Sequence, residues 1–430
     1  MTTPYARALL VLTSVWLIAF AALAVRLAFA WDQQRKIPQQ ALATVPFEQE
    51  SGNIALALSE GHGYANLFRR NTGPTAWLAP VYPFLLSLIF RVFGPLTLSS
   101  FFAAALLNAL FSAAATIPLY DIGRRLGGTA VAAGAAWLWV VLPAGVMMPF
   151  EWIWDTSLSA LLAITLVWLT LRITKASGLE LWIVYGLLWG LALLTNPALG
   201  VALPFLLAWA ALRARRLSAT TWLAPGVSLV MIFLCALPWS VRNYERFHRV
   251  IPIRSSLPFE LWIGNNDIFD EHAVHGIQRI TRYEETHRYA ELGENAYLDE
   301  KLRLARSFIE QKPALYAVLT GRRILATWAG TEHPLADFLR ADSLLVRVIF
   351  TVNLVLTLGT LAGLAVLLFA KNPWALPLAV LPIFYPLIYY LSHTSLRYRH
   401  PIDPLLVLLT VFAAACCFRK SADSFPARPL

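Results

Sequence analysis

The sequence predicts an all-α polytopic membrane protein, a bundle of about ten transmembrane helices with extracytoplasmic juxtamembrane helices. Three observations carry this. The 430-residue chain is 58% hydrophobic and only 14% charged, with positive mean hydropathy. Several apolar runs approach or exceed the roughly 20 residues that cross a ~30 Å hydrocarbon core. The short alternating segments of an outer-membrane barrel are missing.

Charge and cysteines narrow the class. The net charge of +10 comes from Lys and Arg at the ends of apolar runs, where the positive-inside rule and anionic headgroups place them. Membrane lipids are the expected partners of that charge, not nucleic acid. Cys235, Cys416 and Cys417 all lie in apolar runs, so neither a disulfide framework nor a cysteine-based zinc site is expected. The first apolar run is too long for a signal-peptide core and lacks a small-x-small cleavage site, so it reads as a retained span.

That span covers about Ala8 to Ala30, with Arg26 able to snorkel toward the interface. A polar stretch from Trp31 to Pro80 follows, outside the cytoplasm. Within it Asn53 to Glu60 reads as a short helix, burying Ile54, Leu56 and Leu58 and ended by Gly61 and Gly63. PVYPFLLSLIFRVFG, Pro80 to Gly94, is apolar but short and carries Arg91, so it reads as an interfacial helix. Spans follow near Ser100–Tyr120, Thr129–Met147, Thr156–Leu171, Leu181–Thr195, Leu199–Leu212 and Trp222–Trp239. Arg124, Arg125, Arg172, Lys175, Arg213, Arg215 and Arg216 then all fall on the cytoplasmic side.

From Ser240 to Ser343 the chain turns polar. The spacing of Tyr289, Leu292, Ala296, Leu298, Leu302, Leu304 and Phe308 predicts a helical extracytoplasmic insert. Leu315 to Trp328 is moderately apolar, but Arg322 and Arg323 at its centre place it at the interface. Three more spans run near Leu344–Ala370, Trp374–Leu391 and Pro404–Phe418. The chain thus forms one transmembrane domain over 1–420, including the extracytoplasmic loop 31–99 and insert 240–343, and a disordered tail over 421–430.

The dense polar clusters gather on the extracytoplasmic face: the loop around Glu48, the loop Glu151 to Asp155, the RNY stretch with Arg242, GNND from Gly264 to Asp267, and RYRH from Arg397 to His400. A carboxylate at a dry boundary serves as general base when burial raises its pKa. Arginine binds phosphate bidentately. Together they suit one reaction: an acceptor hydroxyl attacks a sugar's anomeric carbon and expels a lipid phosphate. No P-loop, GxGxxG or HExxH occurs. No cofactor motif is present, and a divalent metal stays open. His272 and His275 beside Glu271 make an incomplete ligand set.

The order of these parts resembles the GT-C glycosyltransferases. They run apolar span, acidic loop, Gly-x-Gly, a Pro-x-Tyr-Pro helix, then a span ending in GRRLGG. The bacterial branch related to protein mannosyltransferases and the lipid A aminoarabinose transferase is the most similar. TGPTAWLAPVYP, LTNPALG, ELWIGNN and RYRHPIDP carry the likeness. The resemblance implies a GT-C-like bundle in the bacterial cytoplasmic (inner) membrane, with its site facing the periplasm or exterior. It implies a polyprenyl-phosphate-linked sugar donor and an acceptor that is a glycolipid, a polysaccharide or a protein. Glu48 stands at the place of the first-loop catalytic acid and Asp155 at that of the second. The family's first loop commonly has an Asp-Glu pair; Phe47 replaces the first member here, and the alignment also admits Glu50 as the base.

Around these acids, Arg397, Arg399 and Arg242 are candidates for the donor phosphate, with His400 beside it. Glu151 joins the second acidic loop, and Tyr82 and Trp77 would line a sugar or lipid groove. Each has a plainer reading: Asp155 as helix cap, the arginines as headgroup anchors, the aromatics as interfacial belt. A transporter or flippase of lipid-linked sugars is the rival function. It predicts internal repeats, which this sequence lacks, and mid-span charge, of which it has almost none. A scaffold would leave the gathered acids and arginines unexplained.

Overall fold

The computed structural model describes residues 12–68, 71–151, 153–173, 178–215, 223–266, 274–331, 334–341 and 343–418. Among them every named element is helical, and one isolated bridge pairs Ala65 with Pro74. The protein is an all-α polytopic membrane protein. Among the described residues seven helices are long and apolar enough to cross a membrane, or eight if a bent pair counts as one span. Three further apolar helices, Val81–Phe93, Leu179–Thr195 and Ala375–Leu391, are shorter, and the last two lie where the sequence placed spans.

In chain order, α1 (Val15–Gln34) is the first span. Helix α2 (Glu50–Ser59) occupies the first loop and buries Ile54 and Leu58, ending where Gly61 and Gly63 take positive φ. Helix α3 (Val81–Phe93) has 13 residues, too few to span. It buries Tyr82, Leu86 and Phe90 while Phe84, Leu88 and Val92 stay exposed, the two-faced pattern of an interfacial helix.

Helices α4 (Leu98–Ala114) and α5 (Thr116–Gly127) run on as one span of 30 residues. The DIGRRLG stretch beyond the span expected at Ser100–Tyr120 is thus helical. Helices α6 (Thr129–Val141) and α7 (Pro143–Glu151) meet at a 44° bend, where Leu142 is extended before a proline. Helix α8 (Thr156–Ile173) is the most enclosed of these spans, with most of its residues buried.

Helix α9 (Leu179–Thr195) turns through a 3-10 segment at Pro197–Ala202 into α10 (Leu203–Arg215). Helix α11 (Leu223–Phe247) packs on α9 at two glycines: a Cβ at Gly186 would come within 2.6 Å of the Ser228 carbonyl, and one at Gly190 within 2.5 Å of Cys235 Cβ. Small residues let two membrane helices approach this closely. Helix α11 continues past Trp239, so Arg242 is helical and not in a loop.

The insert follows. Helix α12 (Leu257–Gly264) is short. Helix α13 (Val274–Gln311) breaks at Gly293, φ 72°. Helix α14 (Pro313–Ala329) closes the segment. Then come α15 (Leu344–Phe369), α16 (Ala375–Phe384), α17 (Leu387–Leu391), α18 (Leu396–Arg399) and α19 (Asp403–Phe418).

Two arginines depart from expectation. Arg26 does not snorkel: it is buried, donating to Ser112 Oγ at 2.8 Å, the Ala22 carbonyl at 2.8 Å and the Trp139 carbonyl at 3.2 Å. A bundle interior with acceptors offers it more than the lipid edge does. Arg323 is likewise buried, donating to the carbonyls of Gly264, Tyr390 and Leu391 and to Asn265 Oδ1. It joins α14 to the ends of α12 and α17. The tail 421–430, with Asp267, Glu271, His272 and the side chain of His275, lies outside the described residues.

Candidate active site

The two ends of α8 differ in chemistry. At its C-terminal end, Arg172 and Arg125 pair with Asp121 at 3.2 and 3.0 Å. At its N-terminal end stands Asp155. Eighteen residues at 1.5 Å each separate them by about 27 Å, close to the thickness of a hydrocarbon core. The basic anchors and the acid–aromatic cluster thus lie at opposite ends of the bundle.

Asp155 sits just before α8, and its carbonyl accepts the Ser159 N–H at 2.7 Å. Its Oδ2 accepts the Ser159 hydroxyl at 2.9 Å. Burial pushes its carboxyl up from the ordinary range, against the Ser159 hydrogen bond and the charges of Arg397 and Arg254. Asp155 thus stands at the start of α8 as a carboxylate under the influence of two arginines.

Arg397 comes from α18, where the Ser395 hydroxyl caps the turn. Its guanidinium lies 4.4 Å from the centre of the Trp154 ring and 4.7 Å from that of Tyr398. Its Nη2 donates to Tyr398 Oη at 2.8 Å. Glu50 and Glu260 both act on it electrostatically. Glu50 opens α2, one residue past the Gln49 cap. Glu48 is half-buried in the turn before it, its N–H bonded to the Val45 carbonyl at 3.2 Å. The site thus joins Glu50, Asp155 and Arg397, from α2, the start of α8 and α18.

The remaining candidates are placed otherwise. Arg399 is 2% exposed and spends its donors on Asp403 Oδ1 at 2.9 Å, Asn353 Oδ1 at 2.5 Å and the Thr327 carbonyl at 3.3 Å. His400 faces Asp403 Oδ2 at 3.2 Å and stacks on Trp139. Both lock α19 into the core.

Arg242 donates to the carbonyls of Thr75 and Tyr64, each at 2.7 Å, so it clamps the first loop to α11. The Tyr82 hydroxyl donates to Asn108 Oδ1 at 2.9 Å, and Asn108 donates to the Pro149 carbonyl at 3.3 Å. Tyr82 thereby ties α3 through α4 to the end of α7, ahead of Asp155. Trp77 is buried against Phe259 and Tyr289. Glu151 is exposed at the end of α7.

Sequence reasoning missed three polar members. Arg254 Nη2 pairs with Glu260 Oε1 at 2.8 Å. Glu260 Oε2 faces His393 Nδ1 at 3.4 Å. His393 Nε2 lies 2.9 Å from Tyr398 Oη. Tyr398 in turn stacks on Tyr389 at 4.7 Å, with planes 5° apart. The signal was in segments already singled out: Glu260 opens ELWIGNN, and His393 precedes RYRH by a few residues.

A second buried carboxylate braces the site. Glu294 accepts from Thr75 Oγ1 at 2.5 Å, the Ala76 N–H at 2.9 Å, Ser255 Oγ at 2.7 Å and Tyr289 Oη at 2.7 Å. It binds the insert to the first loop and to the segment that carries Arg254. Among the described residues no group of three or more His, Cys, Asp or Glu is placed to hold a metal ion.

Comparison with known proteins agrees with this architecture. Residues 77–240 match the family model of dolichyl-phosphate-mannose-protein mannosyltransferase. No curated protein matches the chain. Among solved structures, the Archaeoglobus fulgidus oligosaccharyltransferase in complex with Zn and sulfate is similar at 13% identity and a TM-score of 0.54, over 94% of this chain and 49% of that one. Its apo form gives 13% and 0.53, over 93% and 50%. The same archaeal enzyme in complex with an inhibitory peptide and a dolichol-phosphate gives 13% and 0.51, over 92% and 50%. The chain spans about half the length of that enzyme. The fold is that of this archaeal oligosaccharyltransferase, in keeping with the bundle that the sequence resemblance implied.

Proposed function

We propose that this protein is a glycosyltransferase that moves a sugar from a polyprenyl-phosphate-linked donor to an acceptor hydroxyl outside the cytoplasm. One observation carries the reading. In a membrane bundle of this fold, a half-buried carboxylate with a raised pKa, Asp155, lies in the field of an arginine held on an aromatic ring, Arg397 over Trp154. The family model's dolichyl-phosphate-mannose and the archaeal neighbour's dolichol-phosphate are donors and ligands of the same chemical class.

In this mechanism a carboxylate takes the acceptor proton as the acceptor oxygen bonds to the anomeric carbon. The bond from that carbon to the phosphate oxygen breaks on the opposite face, inverting the centre. Polyprenyl phosphate leaves, and Arg397 holds its charge, assisted by Arg254. Asp155 is the base we favour, because burial moves its carboxyl toward the working range of a general base. The Glu48–Glu50 turn supplies the second carboxylate. The sequence resemblance assigns it to Glu48; the electrostatic pairing of Glu50 with Arg397 favours Glu50.

The test is transfer or release of sugar from a panel of polyprenyl-phosphate sugars by the detergent-purified protein. Wild type is compared with Asp155→Asn, Glu48→Gln and Glu50→Gln. Turnover that disappears in Asp155→Asn while donor binding persists supports the reading. Turnover that survives there but fails in one glutamate variant moves the base to that glutamate. No turnover with any donor, alongside translocation of lipid-linked sugar in liposomes, replaces the transferase with a transporter.

A further inference from the structure

Arg254, Glu260, His393, Tyr398 and Arg397 form one continuous polar chain at the site, through contacts of 2.8, 3.4, 2.9 and 2.8 Å. Its proton inventory is constrained. A guanidinium only donates, so the Tyr398 oxygen accepts from Arg397. The single phenolic proton is then available to His393 Nε2, which accepts it in the tautomer that leaves a lone pair there. A neutral imidazole with an Nε2 lone pair carries its proton on Nδ1, and Nδ1 faces a Glu260 carboxylate oxygen and the Glu260 carbonyl, each at 3.4 Å. Each group thus donates or accepts in one consistent direction.

We propose that His393 is the positioning residue of the phosphate site: by accepting the Tyr398 hydroxyl it turns the Tyr398 oxygen toward Arg397, and so holds that guanidinium over Trp154. This rests on the reading that Arg397 receives the donor phosphate. The groups facing the ring support the neutral form. His393 is 8% exposed. Arg397 on the following turn and Arg323 on α14 oppose a positive charge there, while Glu260 on α12 favours one; burial is the largest influence, and the net effect pushes the imidazole below its ordinary pKa. An imidazolium would present an N–H to the Tyr398 oxygen and compete with Arg397 for it. The phosphate site should therefore loosen in acid.

Binding of polyprenyl phosphate to the full-length protein in nanodiscs tests this, across pH, for wild type, Arg397→Gln, His393→Phe, His393→Gln and Tyr398→Phe. His393→Phe removes the acceptor and should weaken binding about tenfold, the scale of one hydrogen bond to a charged group. His393→Gln restores an acceptor with no proton to gain. It should bind within about threefold of wild type and retain affinity at lower pH than wild type. Tyr398→Phe should match His393→Phe, and combining the two should add nothing, as members of one chain behave.

In turnover, KM for the donor should rise more than kcat falls. If Arg397→Gln loses binding while His393→Phe keeps it, or Gln restores nothing, the positioning role is overturned and the phosphate reading stands. If Arg397→Gln binds like wild type, the phosphate reading falls and the positioning role falls with it. Should His393→Phe fail to fold, the Gln variant's pH profile and Tyr398→Phe still decide.

Discussion

The Arg397 guanidinium lies 4.4 Å from the centre of the Trp154 ring, and Trp154 is the residue immediately before Asp155. The aromatic face attracts the cation, so a positive charge is held beside a carboxylate. Arg397 lowers the Asp155 pKa, against the burial that raises it. Neutralising the arginine must then raise the carboxyl further. In Arg397→Gln the acid limb of the kcat/KM profile should move to higher pH. A limb that stays in place would mean Asp155 is not the titrating base.

Asp155→Asn should lower turnover by on the order of 10²–10⁴, the range for losing a positioned general base. Its amide can still accept from Ser159, so α8 keeps its start and the melting temperature should change little. Parallel turnover and thermal-melting measurements check both parts.

Arg399 is two residues from Arg397 but should behave oppositely. Its pair with Asp403 is fully enclosed, each side chain 1% exposed. Arg399→Ala would strand the Asp403 carboxylate and should cost roughly 3–5 kcal/mol of stability. The variant should melt early or fail to accumulate. Arg397→Ala should melt near wild type and lose donor affinity.

Gly264 ends α12 where a Cβ would lie 1.8 Å from the Ser392 carbonyl. Gly264→Ala must push α12 from the segment that carries His393. Overpacking of this kind costs about 1–3 kcal/mol. We expect reduced melting temperature together with raised KM for the donor.

Glu294→Ala would leave Thr75, Ser255, Tyr289 and the Ala76 N–H without their shared acceptor. Buried donors stranded this way cost roughly 1–3 kcal/mol each. The first loop and the insert should become protease-sensitive while the apolar spans stay protected, which limited proteolysis in nanodiscs would reveal.

Much of the architecture was legible because hydropathy is a one-dimensional property. Span positions, the interfacial nature of α3 and the helix in the first loop all follow from runs of apolar residues and their glycine stops. What sequence could not supply was which way a polar side chain points. Arg397 and Arg399 stand in one RYRH motif, and a spacing of two residues, about half a helical turn, separates an arginine facing the site from one sunk among Asn353, Thr327 and Asp403. Glu260 and His393 were equally hidden, since 133 residues separate them and their pairing needs α12 and the α17–α18 turn to meet in space. The ends of helices also ran past their apolar limits: α11 carries Arg242 because helical hydrogen bonding continues beyond the lipid.

The interior position of Arg26 bears on how the bundle is assembled. A lone α1 in lipid would carry a cation whose partners at Ser112 and Trp139 belong to α4 and α6, at a cost of about 2.5–3.5 kcal/mol on insertion scales. That cost disappears only when α4 and α6 have arrived. The N-terminal helix is therefore a late docker whose seat is prepared by later sequence, and separately expressed α1 should associate with a bundle lacking it only when Arg26 is intact.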